Sequence, residues 1–261
     1  MEENPVKRQL QAGGVVLGPM VLEFNTPGMA SLMEATGVDF VLYDMEHGGF
    51  GFDTMRQVLS YSRGRRAVPI LRVPDTQYGL LAPVMDMGAK GVVVPFVDTA
   101  EQARTIVAAT KYPPWGRRGA SFRIAHDDFR LGDVVDKMRE ANQETLVVVQ
   151  IETGTALSHL DAIAAIDGVD VLVIGHLDLA NSLGIPGRVD DPRILNASRQ
   201  VIDACNRQGK ACGRVVWNTA SAIAAVDDGY RFLIFGSDVV WLQESLARGV
   251  SEVRARVAYK P

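Results

Sequence analysis

Val147-Val148-Val149-Gln150-Ile151-Glu152, a helical run, and then Val169-Asp170-Val171-Leu172-Val173-Ile174-Gly175-His176-Leu177-Asp178: the reading of this stretch decides the fold. Two almost wholly apolar runs each end in polar groups. Runs without polar alternation are strands covered on both faces, as parallel sheets require. Carboxylates just past the ends of two such strands converge on one point. Glu152 and Asp178 are therefore candidate metal ligands, and they fit equally well as caps of the helices that follow.

The same alternation extends in both directions. Apolar runs at residues 14–21, 39–43, 67–73, 91–95, 147–151, 169–174, 211–216 and 231–235 alternate with helical patterns. Residues 5–12 suggest a leading helix, 155–166 one helix, and 177–183 a short extra one. The last helix is expected to run to about residue 257. Asp98-Thr99-Ala100-Glu101 reads as a capping box. Strand–helix alternation predicts a parallel sheet. Eight units in 261 residues favour one closed (β/α)8 barrel over an open sheet, with residues 1–261 as a single domain. No Gly-x-Gly-x-x-Gly follows the first run, which weakens a dinucleotide-binding reading. Residues 111–132 break the rhythm, and that length suggests a functional segment.

Composition narrows the class. The chain is 47% hydrophobic and 22% charged with a net charge of −4. Its one basic cluster, Arg63-Gly64-Arg65-Arg66, is short, so no nucleic-acid partner is expected. No run reaches the roughly 18 apolar residues of a membrane span, and no membrane partner is expected. Met1-Glu2-Glu3-Asn4-Pro5 lacks an apolar signal core, so a cytoplasmic location is expected. Cys205 and Cys212 exclude a disulfide framework and a four-cysteine zinc site.

A barrel makes a demand: catalytic groups belong at the C-terminal ends of its strands. Asp44, Glu46 and His47 follow the second run, Arg72 ends the third, Gln150 and Glu152 end the fifth, and Asp178 follows the sixth. Each alone reads equally well as a cap or loop residue. Together they form one rim. Two carboxylates suit Mg²⁺ or Mn²⁺, and a 2-oxo acid can chelate such an ion. Arg72 would add positive charge beside the keto oxygen, and His47, oriented by Asp44, would move protons. No lysine ends any run, which argues against Schiff-base chemistry.

These residues also carry a resemblance. Asp44-Met45-Glu46-His47, Arg72-Val73-Pro74, Met85-Asp86-Met87-Gly88-Ala89 and Val94-Pro95-Phe96-Val97-Asp98 resemble motifs of the HpcH/HpaI family of class II pyruvate aldolases. So do Tyr112-Pro113-Pro114-Trp115-Gly116, Val149-Gln150-Ile151-Glu152-Thr153, Asp178-Leu179 and Gly236-Ser237-Asp238, in the same order along the chain. The resemblance implies a (β/α)8 barrel and a homo-oligomer, a hexamer built as a trimer of dimers with the C-terminal helix exchanged. It implies Glu152 and Asp178 as ligands of Mg²⁺, Mn²⁺ or Co²⁺, with His47, linked to Asp44, as acid/base. Arg72 would stabilise a pyruvate enolate. Gln150, the backbone at Gly175 and Leu177, and Asp86 reaching a neighbouring subunit would contact substrate. The implied reaction is reversible cleavage of a 4-hydroxy-2-oxo acid to pyruvate and an aldehyde. An acyl-CoA lyase and a non-catalytic binder of 2-oxo acids are the alternatives.

Three departures from the family pattern touch the pocket wall. His176 stands where a proline is usual, and reads as outward-facing or as a new substrate contact. His126 stands where an arginine is usual, with Arg123 as a possible substitute. Residues 17–21 lack an aromatic. His159 is expected on the surface. Trp217 and Trp241 are expected to pack in the core or at a subunit contact, with the site wall as the alternative.

Overall fold

The computed structural model describes residues 2–257. Its eight strands are β1 (Val16–Val21), β2 (Phe40–Asp44), β3 (Val68–Arg72), β4 (Gly91–Val94), β5 (Leu146–Ile151), β6 (Val171–Ile174), β7 (Ala211–Val216) and β8 (Phe232–Ser237). They form a closed barrel in sequence order, and β1 pairs in parallel with both β2 and β8. The helices are α1 (Pro5–Gln11), α2 (Met29–Ala35), α3 (Phe52–Tyr61), α4 (Tyr78–Asp86), α5 (Ala100–Thr110), α6 (Val134–Glu144), α7 (Gly154–Ser158), α8 (Leu160–Ala164), α9 (His176–Ser182), α10 (Pro192–Arg207), α11 (Thr219–Asp227) and α12 (Asp238–Arg256). No helix among the described residues is long and apolar enough to cross a membrane. The expected (β/α)8 barrel is the fold.

The two-residue period of a strand sorts each run into two sets. Val16, Phe40, Leu42, Val68, Ile70, Val148, Val171, Val173, Phe232 and Ile234 point inward and fill the barrel. Their neighbours, such as Val41, Leu71, Val147, Val149, Leu172 and Leu233, point outward against the helices. Inside, Phe40 and Phe232 stack with centroids 4.5 Å apart, a pairing worth about 0.5–1.5 kcal/mol beyond area burial. Gly18 is required there, because a Cβ would overlap the Phe40 ring and carbonyl. The capping box at the start of α5 is formed by Thr99 and Gln102, one residue later than the expected Asp98–Glu101 box.

The lower end of the barrel is sealed. Val6 and Leu10 of α1 join the inner core cluster. Asn4 donates from its side chain to the carbonyls of Lys90 and Glu144, and from its backbone to the Glu144 carboxylate at 2.6 Å. The Lys7 ammonium pairs with Asp170 at 3.0 Å and donates to the Thr145 carbonyl. Lys111 donates to the carbonyls of Asn142 and Thr145 beside it, and no carboxylate pairs with it among the described residues. Among the described residues, α1 thus covers the N-terminal end of the barrel, opposite the strand C-termini.

Two expectations about elements change. The helix expected over residues 155–166 is α7 and α8, broken at His159, whose Nδ1 donates to the Asp98 carbonyl at 2.9 Å. The long segment 111–132 does not reach this chain's rim cluster. Its polar groups fold it against α4 and α6: Arg118 pairs with Asp86, the Gly119 N–H donates to the Tyr78 hydroxyl, and Lys137 pairs with Asp127. His126 is buried there, bonded through Nε2 to the Ser121 carbonyl at 2.7 Å.

Burial, with help from nearby Lys7, lowers the Lys111 pKa from 10.5 to about 8. Above pH 8 the unfolded chain therefore holds a proton that the folded chain has released, and stability rises with pH. Chemical denaturation between pH 8 and 10 should show this rise, and Lys111→Met should flatten it. An unchanged slope in the variant would assign the rise to other groups.

Candidate active site

The inner phase of the strands continues past the apolar core and delivers polar groups to the open mouth. On β2 the inward series Phe40, Leu42 ends in Asp44, and on β3 Val68, Ile70 ends in Arg72. On β5, Leu146 and Val148 lead to Gln150 and then Glu152. On β6, Val171 and Val173 lead to Gly175. The strands pair in order, so these residues form a continuous arc.

The centre of the arc is a buried ion pair. Arg72 donates to both Asp44 oxygens, from Nε at 2.8 Å and from a terminal nitrogen at 2.6 Å. Its other terminal nitrogen approaches the Gln150 carbonyl oxygen at 3.5 Å. Gln150 donates to Glu152 at 2.8 Å, and the Phe96 backbone N–H donates to the second Glu152 oxygen at 2.7 Å. A hydrogen-bonded chain therefore joins three strands, β2, β3 and β5, from Asp44 through Arg72 and Gln150 to Glu152.

Glu152 is buried, and burial raises its pKa to about 7 against the lowering effect of those two donors. Glu46 and Asp178 raise it further by charge repulsion. Glu46 is also raised, first by burial, while Arg72 and His47 oppose that shift. One Glu46 oxygen lies 3.1 Å from Arg72 Nε yet is buried with no hydrogen-bond partner. Three acidic groups thus face one another with a single guanidinium between them. Such an arrangement fits a cation: carboxylate oxygens suit a hard divalent ion that keeps water or substrate oxygens in its remaining positions. Glu152, just past β5, and Asp178, in the first turn of α9, are the candidate donors of such oxygens. No three His, Cys, Asp or Glu side chains cluster as a closed ligand set among the described residues.

Backbone geometry fixes these groups. Gly175 donates to the Ile151 carbonyl at 3.1 Å, and a Cβ on it would overlap the Glu152 carboxylate. Only glycine fits at this point between β5 and β6. Gly175 also starts α9 without a side-chain cap, with Leu177 exposed and Asp178 in the first turn. Phe96 holds φ at +51°, a left-handed conformation that costs a non-glycine residue about 1–3 kcal/mol and here coincides with its N–H bonding to Glu152.

The structure revises several expected roles. Asp44 does not touch the His47 ring. Its carboxylate is taken by Arg72 and by the backbone N–H groups of Glu46 and His47, at 2.9 and 3.3 Å. A short connection after β2 turns His47 outward, so Asp44 places it only through the backbone. The carboxylate nearest the exposed imidazole is Glu46, at 3.9 Å. Glu46 is thus a site residue that its rim position signalled but to which no chemistry had been attached. Asp86 ends α4, the helix returning to the lower end of the barrel, and pairs with Arg118; within this chain it is apart from the cluster. His176 is on the outward phase, 3.4 Å from the Ser198 hydroxyl of α10, and burial lowers its pKa to about 3. Asp238 accepts the N–H groups of Leu22, Glu23 and Phe24 and so fixes the loop after β1. Trp241 packs edge-on against Phe235, whereas Trp217 stands at the rim.

Known proteins resemble this chain along nearly its whole length. A family model described as HpcH/HpaI aldolase/citrate lyase matches residues 20–244. The chain is 36% identical over 245 residues to a 2-keto-3-deoxy-L-rhamnonate aldolase of Klebsiella pneumoniae, covering 94% of this chain and 91% of that one. The crystal structure of an HpcH/HpaI aldolase from Desulfitobacterium hafniense superposes with a TM-score of 0.93 at 30% identity, over 98% of each chain. A family protein from Burkholderia cenocepacia gives 0.90 at 29% identity, over 96% of this chain and 99% of that one. With the matched span reaching from the end of β1 into α12, the chain belongs to the HpcH/HpaI aldolase/citrate lyase family.

Proposed function

We infer that this chain is an aldolase that cleaves a 4-hydroxy-2-oxo acid to pyruvate, or a close 2-oxo acid, and an aldehyde, and runs the reverse addition. The observation that carries this is the buried Asp44–Arg72–Gln150–Glu152 chain at the barrel's one open mouth. The related aldolases of 2-keto-3-deoxy-L-rhamnonate support it.

Glu152 and Asp178 would hold a divalent cation, Mg²⁺, Mn²⁺ or Co²⁺, which supplies Lewis-acid polarisation of the keto group. Everything else falls to the chain. The substrate carboxylate would face the backbone at Gly175 and Leu177. Arg72, fixed by Asp44, holds a positive charge where the keto oxygen gains negative charge. Gln150 keeps Arg72 and Glu152 in register and lies beside the substrate. In cleavage His47, exposed at the mouth, takes the proton of the 4-hydroxyl, directly or through water. The C3–C4 bond then breaks, the aldehyde leaves, and the electron pair remains on the enolate. C3 takes up a proton to give pyruvate. Asp86 would serve the site of a neighbouring subunit.

The assembly reading rests on α12. Leu242, Leu246, Val250, Val253 and Val257 leave an exposed apolar stripe along it, and only Asp238 of this helix is buried on its own barrel. The stripe is proposed to dock on a second copy, within a hexamer of three dimers, each copy a single barrel spanning residues 1–261.

Exchange of pyruvate methyl hydrogens with deuterium should require a divalent metal, stop with chelator, and fall at least about a hundredfold in Glu152→Gln. Exchange that survives both treatments would remove the two-carboxylate metal site. Arg72→Ala should lower kcat by about 10²–10³, as loss of one oxyanion donor does; near-full turnover would reduce Arg72 to a packing role. Leu246→Glu combined with Val253→Glu should lower the mass measured by light scattering. An unchanged mass would place the subunit contacts elsewhere.

A further inference from the structure

The rim divides by chemistry. Proton- and metal-handling groups come from β2, β3, β5 and β6. Two aromatic residues bracket the metal-site strands: Phe96 just after β4 and Trp217 just after β7. Both are strongly exposed, at 46% and 43% of their surface, although apolar residues of this size normally find cover. Their places are fixed. The Phe96 N–H is held by Glu152 at 2.7 Å. The Trp217 N–H donates to Ser221 at 3.3 Å, next to the capping box that starts α11. Trp217 continues the inward phase of Gly213 and Val215, and the chain stays extended through Asn218. Beyond it, the β1 side of the mouth offers Met20, Leu22 and Phe24.

Charge points the same way. The segments at residues 22–28 and 217–218 contain no lysine or arginine, and the first carries Glu23. Arg72, the guanidinium of the cluster, is already engaged by Asp44, Glu46 and Gln150. Asp44, Glu46, Glu152 and Asp178 crowd the same mouth. A second carboxylate on the aldehyde would meet acidic groups and, among the described residues of this arc, no free cation.

Resting on the aldolase reading above, we propose that the aldehyde partner is uncharged and apolar, an aryl or medium-chain alkyl aldehyde, with its body held by Trp217 and Phe96. In the addition direction C3 of the enolate bonds to the aldehyde carbon, and the aldehyde oxygen takes a proton to become the 4-hydroxyl. The apolar body does not react. It gives up water against the two aromatic faces, and the donor half of the site stays as described.

Steady-state kcat/KM with pyruvate and a panel of benzaldehyde, hexanal, acetaldehyde and succinic semialdehyde tests this. Benzaldehyde or hexanal should exceed succinic semialdehyde by at least about tenfold. The benzaldehyde-to-acetaldehyde ratio should fall at least about tenfold in Trp217→Ala and return in large part in Trp217→Phe. A loss of folded enzyme lowers both rates and leaves this ratio unaltered, and Phe96→Ala provides an independent second variant. Preference for the semialdehyde, or an unchanged ratio in both alanine variants, overturns the proposal and marks the two aromatics as contacts for another copy. Deuterium exchange of pyruvate by the unsubstituted protein, without aldehyde, separates the two levels. Exchange with no apolar preference sinks the aldehyde assignment alone, whereas absent exchange sinks the aldolase reading with it.

Discussion

The pairing of Arg72 with Asp44 is the interaction on which the site depends. Both groups come from adjacent strands, at matched register, on the inward phase. Removing Arg72 would leave the buried Asp44 carboxylate without its counter-charge, a loss that costs about 3–5 kcal/mol in typical proteins. The pair also sets its neighbours. A guanidinium held along one edge by Asp44 has its other terminal nitrogen left for Gln150, and Glu46 lies 3.1 Å from the same Nε that Asp44 engages. Gln150, so oriented, presents its amide N–H to Glu152. A single ion pair thereby transmits position across β2, β3 and β5.

That chain explains why crowded acidic groups persist at the mouth. Glu152 and Glu46 are both raised by burial, and Asp178 adds repulsion to each. A site built for neutral ligands would gain nothing from this arrangement. A site for a divalent ion and a 2-oxo acid does, because incoming positive charge relieves the repulsion. The close approach of Gly175 to Glu152 adds a geometric condition: one methyl group there would displace the carboxylate. Donor chemistry therefore tolerates little change in its backbone. The exposed residues just outside the cluster can vary without disturbing the ion pair.

Much of this was legible in the sequence, and for a physical reason. Strand alternation is a local rule, so once the apolar runs were located, the inward phase of Asp44, Arg72, Gln150 and Glu152 followed from counting. The outward phase of His176 was open to the same count. The contacts that were not legible depend on where loops turn. His47 lies only three residues past Asp44, yet the connection after β2 points its ring away from that carboxylate. Asp86 sits in a matching motif, but its helix carries it toward the opposite end of the barrel. His159 breaks a helix whose pattern looked continuous because a single ring-to-carbonyl bond outweighs weak helical preference. The exposure of Trp217 could not be read from a composition that makes tryptophan a packing residue by default.

The seal at the lower end has a bearing on how the chain reaches this state. Asn4 precedes its partner Glu144 by 140 positions, and Lys7 precedes Asp170 by 163. The stitching of α1 is thus among the most non-local contacts in the molecule, and loop-closure entropy opposes it until the intervening strands are assembled. The helix that precedes the whole barrel in sequence can dock only after much of it has formed. Until β6 is made, the apolar face of Val6 and Leu10 has no barrel to close. Helix α1 therefore acts as a latch thrown late, and the open mouth that serves catalysis is defined by which end that latch covers.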